Sequence, residues 1–143
     1  MSKNFSFTIP GQFGGIGASL YHMSFASTLK KVFKEYMQGN YLKTVEEICI
    51  ILRVSGDVSD FKGDGPEVLR HVKKSRYIKI DFVIPESKWR GKSKESIKQN
   101  FCDGITKCFY LIVERAEKND ELVDKQGLID DFEKSMRIFR EML

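Results

Sequence analysis

Proline, histidine and cysteine are scarce in this chain, and it contains no long apolar run. Its 143 residues include 3 Pro, 3 Cys and 2 His. No stretch approaches the roughly 20 consecutive apolar residues that a membrane-spanning helix needs. The first residues, MSKNFSFTIPGQFGGIG, lack the continuous apolar stretch of a secretory signal. We therefore expect a cytoplasmic protein that does not cross a membrane.

The three cysteines give no sign of a metal site. Cys49, Cys102 and Cys108 are an odd number, and each lies in an apolar segment. Metal-binding cysteines are spaced more closely and have histidine partners nearby. We interpret these cysteines as small buried hydrophobic residues of a reduced protein, and we expect no metal and no cofactor.

A glycine-rich segment near the N-terminus does not match a nucleotide-binding loop. The run from Gly11 to Gly17 would need a helix that opens at its third glycine, but residues 19–24 separate it from the next helical pattern. We interpret residues 12–20 as a flexible connection.

No catalytic motif accompanies the two histidines. His22 and His71 lie 49 positions apart, without a serine or cysteine motif beside either. An enzyme that combines His71 with Asp64 or Glu67 is a third hypothesis, after the two binding functions given at the end of this subsection. It would need a deep pocket lined by those groups. We expect a non-enzymatic protein.

The chain is rich enough in apolar residues to form one core. Hydrophobic residues make up 41% of it, and 11 Phe, 5 Tyr and 1 Trp are present. This length and composition predict a single domain over residues 1–143. Two stretches, Ile48–Val54 and Ile78–Ile84, alternate apolar side chains with the period of a β-strand.

The remaining patterns predict three helices and further extended segments. A short strand is predicted over 4–9, a helix over 25–38 capped by Ser24, and a helix capped by Ser93 that extends to about Lys118. A last helix is predicted over 128–142, and its predicted buried line is Leu128, Phe132, Met136, Phe139 and Leu143. Residues 66–74 fit either a strand or a helical turn. This order predicts an α+β fold, with a mainly antiparallel sheet covered on one face by helices and with two C-terminal helices.

Charge is unevenly distributed along the chain, whose net charge is +4. Between Lys62 and Lys94, ten Lys or Arg residues are set against four Asp or Glu. From Glu114 to the end, nine acidic residues are set against six basic ones. Such an uneven distribution of charge influences which partners a protein binds more than it influences the fold.

The basic segment supplies the candidate contact residues. Trp89, the only tryptophan, either plugs the edge of the core, which we favour, or forms an exposed aromatic anchor. The predicted partner-binding residues are Lys73, Lys74, Arg76, Lys79, Lys88, Trp89, Arg90 and Lys92.

Part of the chain resembles a known group of proteins. The segment LRVSGDVSDFKGDGPEVLRHVKKSRYIKIDFVIPESKW, followed by helices that end in LIDDFEKSMRIF, is similar to small cytoplasmic immunity proteins of bacterial polymorphic-toxin and contact-dependent growth inhibition systems. The resemblance implies a non-enzymatic protein that binds a cognate toxin domain and blocks its active site or a nearby surface. It transfers no contact residue position by position.

One property departs from what this resemblance implies. Immunity proteins that act on nucleases are often acidic, whereas this chain is basic. Either the acidic C-terminal helices make the contact, or the toxin is not a typical basic nuclease. The leading hypothesis is neutralisation of a toxin by protein–protein binding. The alternative is a nucleic-acid-binding module that uses the basic segment 70–94.

Overall fold

The computed structural model describes residues 6–8, 11–13, 20–55, 67–72 and 77–142, and it gives only the backbone for parts of the strands. These residues form five strands and three helices. In chain order the elements are β1 (Ser6–Thr8), β2 (Gly11–Phe13), α1 (Leu20–Tyr36), β3 (Glu47–Ser55), β4 (Glu67–Val72), β5 (Tyr77–Pro85), a 3-10 turn (Glu86–Lys88), α2 (Lys94–Lys118) and α3 (Lys125–Glu141).

The sheet is mixed and mainly parallel. Strand β3 lies at its centre, pairing in parallel with β5 on one side and with β1 and β2 on the other. Of the five described strands, only β4, at the outer edge of β5, pairs antiparallel. The prediction of an α+β fold with a mainly antiparallel sheet is therefore wrong.

The connections explain this error. Helix α1 carries the chain from β1 and β2 to β3, and parallel strands need such a crossover. Strand β4 then occupies the far edge, and β5 returns between β4 and β3. Alternation within a strand shows which side chains share a face, but it does not show the direction of a neighbouring strand. Helix also predominates over strand in the described residues, because the helices are 17, 25 and 17 residues long.

One face of the two long strands forms the core. Strands β3 and β5 cover the two alternating stretches of the sequence, and residues 48–54 pair in register with residues 78–84. The buried side chains on this face are Ile48, Ile50, Leu52, Ile78, Ile80, Phe82 and Ile84. Segment 66–74, which had two interpretations, contains strand β4.

The helices that cover this face pack against one another through close contacts between aromatic rings. Phe109 of α2 stacks on Phe132 of α3, with ring centroids 3.7 Å apart, and Phe33 of α1 lies 5.9 Å from the same ring. The predicted buried line of α3 is confirmed for Leu128, Phe132, Met136 and Phe139. All three cysteines are free and buried, as predicted, and burial raises the pKa of the Cys102 thiol.

Helix boundaries agree with the sequence where a cap is present. The prediction that Ser93 caps α2 is confirmed, because its Oγ accepts a hydrogen bond from Ser96 N at 3.2 Å. Helix α3 begins earlier than predicted, at Lys125, because Asp124 caps it by accepting from Gly127 N at 2.9 Å.

The start of α1 differs from the prediction. The helix begins at Leu20, so Ser24 is an exposed residue within it and not its cap. The buried side of the helix continues back to His22, a polar residue that hides the apolar periodicity. Residues 12–20 are not wholly a loop, because they include the end of β2 and the start of α1. Residues 14–19 lie outside the described residues.

Hydrogen bonds between polar side chains join the segment after α1 to the turn between α2 and α3 and to α3 itself. The buried Glu121 carboxylate accepts hydrogen bonds from Thr44 N at 2.9 Å and Thr44 Oγ1 at 2.5 Å. Tyr41 Oη donates to Asp131 Oδ2 at 2.5 Å, and burial together with this bond raises the pKa of Tyr41. Since buried polar groups are costly without partners, these bonds fix how the helical layer meets the sheet.

The close packing of Gly104 against β5 leads to a testable prediction. A Cβ added to Gly104 of α2 would lie 1.6 Å from Phe82 Cζ of β5. Alanine normally stabilises a helix by about 1 kcal/mol relative to glycine. Here we expect Gly104→Ala to lower the free energy of unfolding by about 1–3 kcal/mol, because the ring must move. Urea unfolding measures the change.

The control for this prediction is Gln99→Ala, at an exposed position of the same helix. It should leave stability unchanged or slightly raised. Combining Gly104→Ala with Phe82→Leu should recover part of the loss. A Gly104→Ala variant more stable than the parent would contradict the close packing.

Candidate functional site

The structure describes half of the predicted contact residues in full. Lys73, Lys74 and Arg76 lie outside the described residues, and only the backbone of Lys79 is described, within β5. The side chains of Lys88, Arg90 and Lys92 are exposed, whereas Trp89 is only 9% exposed.

Lys88, Trp89, Arg90 and Lys92 lie in the basic loop, our name for residues 88–94, which run from the end of the 3-10 turn to the first residue of α2. Lys92 N donates to Trp89 O at 3.1 Å, which closes a tight turn. Gly91 has φ +70°, a left-handed conformation that other residues rarely adopt. Ser93 then caps α2. This geometry directs Trp89 inward and its charged neighbours outward.

Trp89 is the plug that holds the loop to the core. Its indole packs edge to face against the His22 ring, with centroids 6.3 Å apart and planes at 81°. The Arg90 guanidinium carbon lies 5.9 Å from the indole centroid. The structure therefore shows Trp89 as a buried residue at the edge of the core and not as an exposed aromatic anchor.

His22 lies beneath the loop as a neutral, buried group. Neither ring nitrogen of His22 has a hydrogen-bond partner among the described residues, and the same is true of Trp89 Nε1. Burial lowers the pKa of His22 to about 4. The other histidine, His71, has only its backbone described, so its proposed pairing with Asp64 or Glu67 stays untested.

Helix α1 meets the basic loop at Tyr21, a residue that the sequence pattern missed. Its side chain is 44% exposed and stacks on buried Phe25, with ring centroids 6.2 Å apart. Lys94 Nζ lies 5.9 Å from the Tyr21 ring centroid. A helix predicted to start at Leu20 would have included Tyr21. It would have placed Tyr21 next to the buried side of α1, one position before His22.

Cations continue along the outer side of α1. Lys30, Lys31 and Lys34 are all exposed, and the first acid of the helix is Glu35. At 1.5 Å per residue these lysines lie about 12–18 Å along the axis from His22. Helix α1 therefore adds exposed positive charge outside the segment that the sequence singled out.

Comparison with known proteins decides the family. A family model described as immunity protein 44 matches residues 5–138, nearly the whole chain. This chain belongs to the immunity protein 44 family. No curated protein and no solved structure gives a significant match. The prediction of an immunity protein of a toxin system is thereby confirmed.

Family membership supports immunity against a toxin and implies a cognate toxin as partner. Immunity proteins of this kind are generally non-enzymatic. In the part of the chain that the structure describes, no helix combines the length and apolarity required to cross a bilayer. The same residues include no group of three or more His, Cys, Asp or Glu that could hold a metal ion.

The C-terminal helices of this immunity protein carry mixed charge. Acids on α2 and α3 are interleaved with exposed bases, and Glu117 is paired with Lys125 at 2.5 Å. The exposed bases of this surface are Lys107, Arg115, Lys118, Lys125, Lys134, Arg137 and Arg140. Between the two candidate contact surfaces, the basic loop therefore has the more uniform charge.

Burial of His22 predicts how stability depends on pH. Its pKa is about 4 in the folded protein and near 6.5 when exposed, so the neutral form favours folding. The stabilisation is complete above pH 6.5 and is lost as pH falls toward 4. The difference amounts to on the order of 3 kcal/mol. Urea unfolding of the parent and of His22→Phe at pH 7 and pH 4 measures it.

We expect His22→Phe to lose less stability than the parent over this interval. The control His71→Gln removes the other histidine and should keep the loss caused by His22. Equal losses in the parent and in His22→Phe would show that His22 does not titrate with unfolding.

Proposed function

We propose that this protein neutralises its cognate toxin by binding it through the basic loop and covering the toxin's active site or a nearby surface. The observation that carries the proposal is the exposure of Lys88, Arg90 and Lys92 on a loop pinned to the core by Trp89. A loop held in one conformation loses little conformational entropy on binding. The proposed action requires no catalysis by the immunity protein.

Charge complementarity supports the choice of this surface. Residues 88–94 contain four Lys or Arg and no acid, and no described residue pairs with Lys88 or Lys92. Uniform positive charge accelerates encounter with a negatively charged partner and disfavours a positively charged one. We therefore propose an acidic contact surface on the toxin, which a typical basic nuclease does not offer.

The remaining predicted residues set the extent of the proposed interface. Lys79 is the third residue of β5 and Pro85 is the ninth, so about 20 Å of extended strand separates Lys79 from the start of the 3-10 turn. A standard interface covers about 800 Å² on each partner, a patch about 30 Å across. One interface of this size can reach Lys79 as well as the basic loop, and we include Lys79 in the proposal as its outer part. Lys73, Lys74 and Arg76 are included in the proposal on the basis of the sequence alone.

We place the encounter in the bacterial cytoplasm and assign the toxin to a polymorphic-toxin or contact-dependent growth inhibition system. The support for this is the similarity of the segment from Leu52 to Trp89 to immunity proteins of those systems, together with the family match. The toxin domain encoded directly upstream of the immunity gene is the partner to test.

Charge reversal in the loop tests the proposed surface. The triple variant Lys88→Glu, Arg90→Glu, Lys92→Glu should weaken toxin binding at least tenfold, because steering and complementarity are both lost. Most of the loss should be in the association rate, and the dependence of affinity on salt should decrease. Surface plasmon resonance at two salt concentrations measures both.

The matched control reverses the charge of three exposed cations on α2 and α3: Lys107→Glu, Lys118→Glu, Arg137→Glu. It changes the net charge equally and should stay within twofold of the parent. Equal losses in both triples would indicate a general charge effect and contradict the surface. If the parent does not bind the toxin but binds RNA or DNA at low salt, the nucleic-acid alternative replaces this proposal.

A further inference from the structure

We propose that Tyr21 is the aromatic anchor of the toxin-binding surface, and that it enters an apolar depression on the toxin whose rim carries carboxylates. This inference rests on the proposed function and deepens it. The sequence offered Trp89 for this role, but Trp89 is buried. Among the described residues, Tyr21 is the exposed aromatic side chain that borders the basic loop.

The Tyr21 ring is exposed yet held in place. One side of it stacks on Phe25, which is 1% exposed, with the two planes only 17° apart. The ammonium group of Lys94 lies 5.9 Å from the ring centroid. Such a ring loses few rotamers on binding, so the apolar area that it buries is not offset by ordering. Tyrosine is among the residues that dominate the energy of interfaces.

The ring and the loop form one continuous surface. The residue next to Tyr21, His22, packs against Trp89 inside the core, and Lys94 ends the basic loop directly beside the ring. A partner that covers Lys94 therefore also lies beside the Tyr21 ring. The positive charge of Lys94 and of the rest of the basic loop is the reason for placing carboxylates on the rim of the depression.

The other exposed apolar side chains fit the role less well. Tyr110 is 42% exposed, but its hydroxyl donates to Glu133 at 2.8 Å on the mixed-charge surface of α2 and α3. The Tyr21 hydroxyl makes no hydrogen bond with a described residue, so it can donate to an acceptor on the toxin. Met23 lies two positions further along the helix, about 200° around its axis, and points away from Lys94.

The experiment compares two tyrosines of similar exposure. Tyr21→Ala should weaken binding of the upstream-encoded toxin domain at least tenfold, mainly through faster dissociation. Tyr110→Ala, the matched control, should stay within twofold of the parent. Tyr21→Phe keeps the ring and should lose less than Tyr21→Ala. Titration calorimetry gives the affinities, and surface plasmon resonance gives the dissociation rates.

A second measurement avoids substitution, because Tyr21→Ala also removes the contact with Phe25. In hydroxyl-radical footprinting of the parent protein, the toxin should protect Tyr21 at least threefold and leave Tyr110 unchanged. Protection of Tyr110 without protection of Tyr21 would overturn the anchor, even if the alanine variant does not fold.

The outcomes separate this inference from the proposed function. If loop charge reversal abolishes binding and Tyr21→Ala binds as tightly as the parent, the anchor is wrong and the basic loop stands. If the parent protein does not bind the toxin domain at all, the proposed function is wrong, and the anchor with it.

Discussion

The structure depends on the burial of one apolar face of strands β3 and β5 beneath the helices. Six of the seven side chains on that face are aliphatic, and burial of each one contributes about 1.5–3 kcal/mol. Helix α2 can approach β5 closely because Gly104 leaves room for the Phe82 ring. This contact holds α2 against β5, and the two elements are joined by the basic loop.

The basic loop is a consequence of that connection. Strand β5 ends at Pro85, and the chain must turn within a few residues to reach the cap of α2 at Ser93. The turn is made possible by the left-handed conformation of Gly91 and is anchored by the burial of Trp89. The same residues that join sheet to helix therefore present lysine and arginine side chains in a fixed arrangement.

Hydrogen bonding beneath this loop is incomplete among the described residues. Three buried polar atoms of His22 and Trp89 have no hydrogen-bond partner among the described residues, and each such group costs about 1–3 kcal/mol. Exceptions to good packing occur most often where a protein binds or reacts. These atoms lie under the loop that we propose as the toxin-binding surface.

The sequence by itself determined the features that depend on near neighbours. Alternation located the strands around Ile48–Val54 and Ile78–Ile84, and a capping serine located the start of α2 at Ser93. The segment from Leu52 to Trp89 and the final helices were enough to indicate an immunity protein, as the family match shows. These features are local, since the period of a strand and the cap of a helix involve residues a few positions apart.

Only the tertiary structure decided the features that depend on distant residues. The parallel pairing of β3 with β5 follows from the path of β4 to the sheet edge, which no local pattern encodes. Whether Trp89 faces the core or the solvent depends on His22, 67 positions earlier in the chain. The exposure of Tyr21 beside Lys94 likewise arises from the packing of α1 against the start of α2. Side-chain period specifies a face, but strand direction and exposure are set by whichever distant element covers that face.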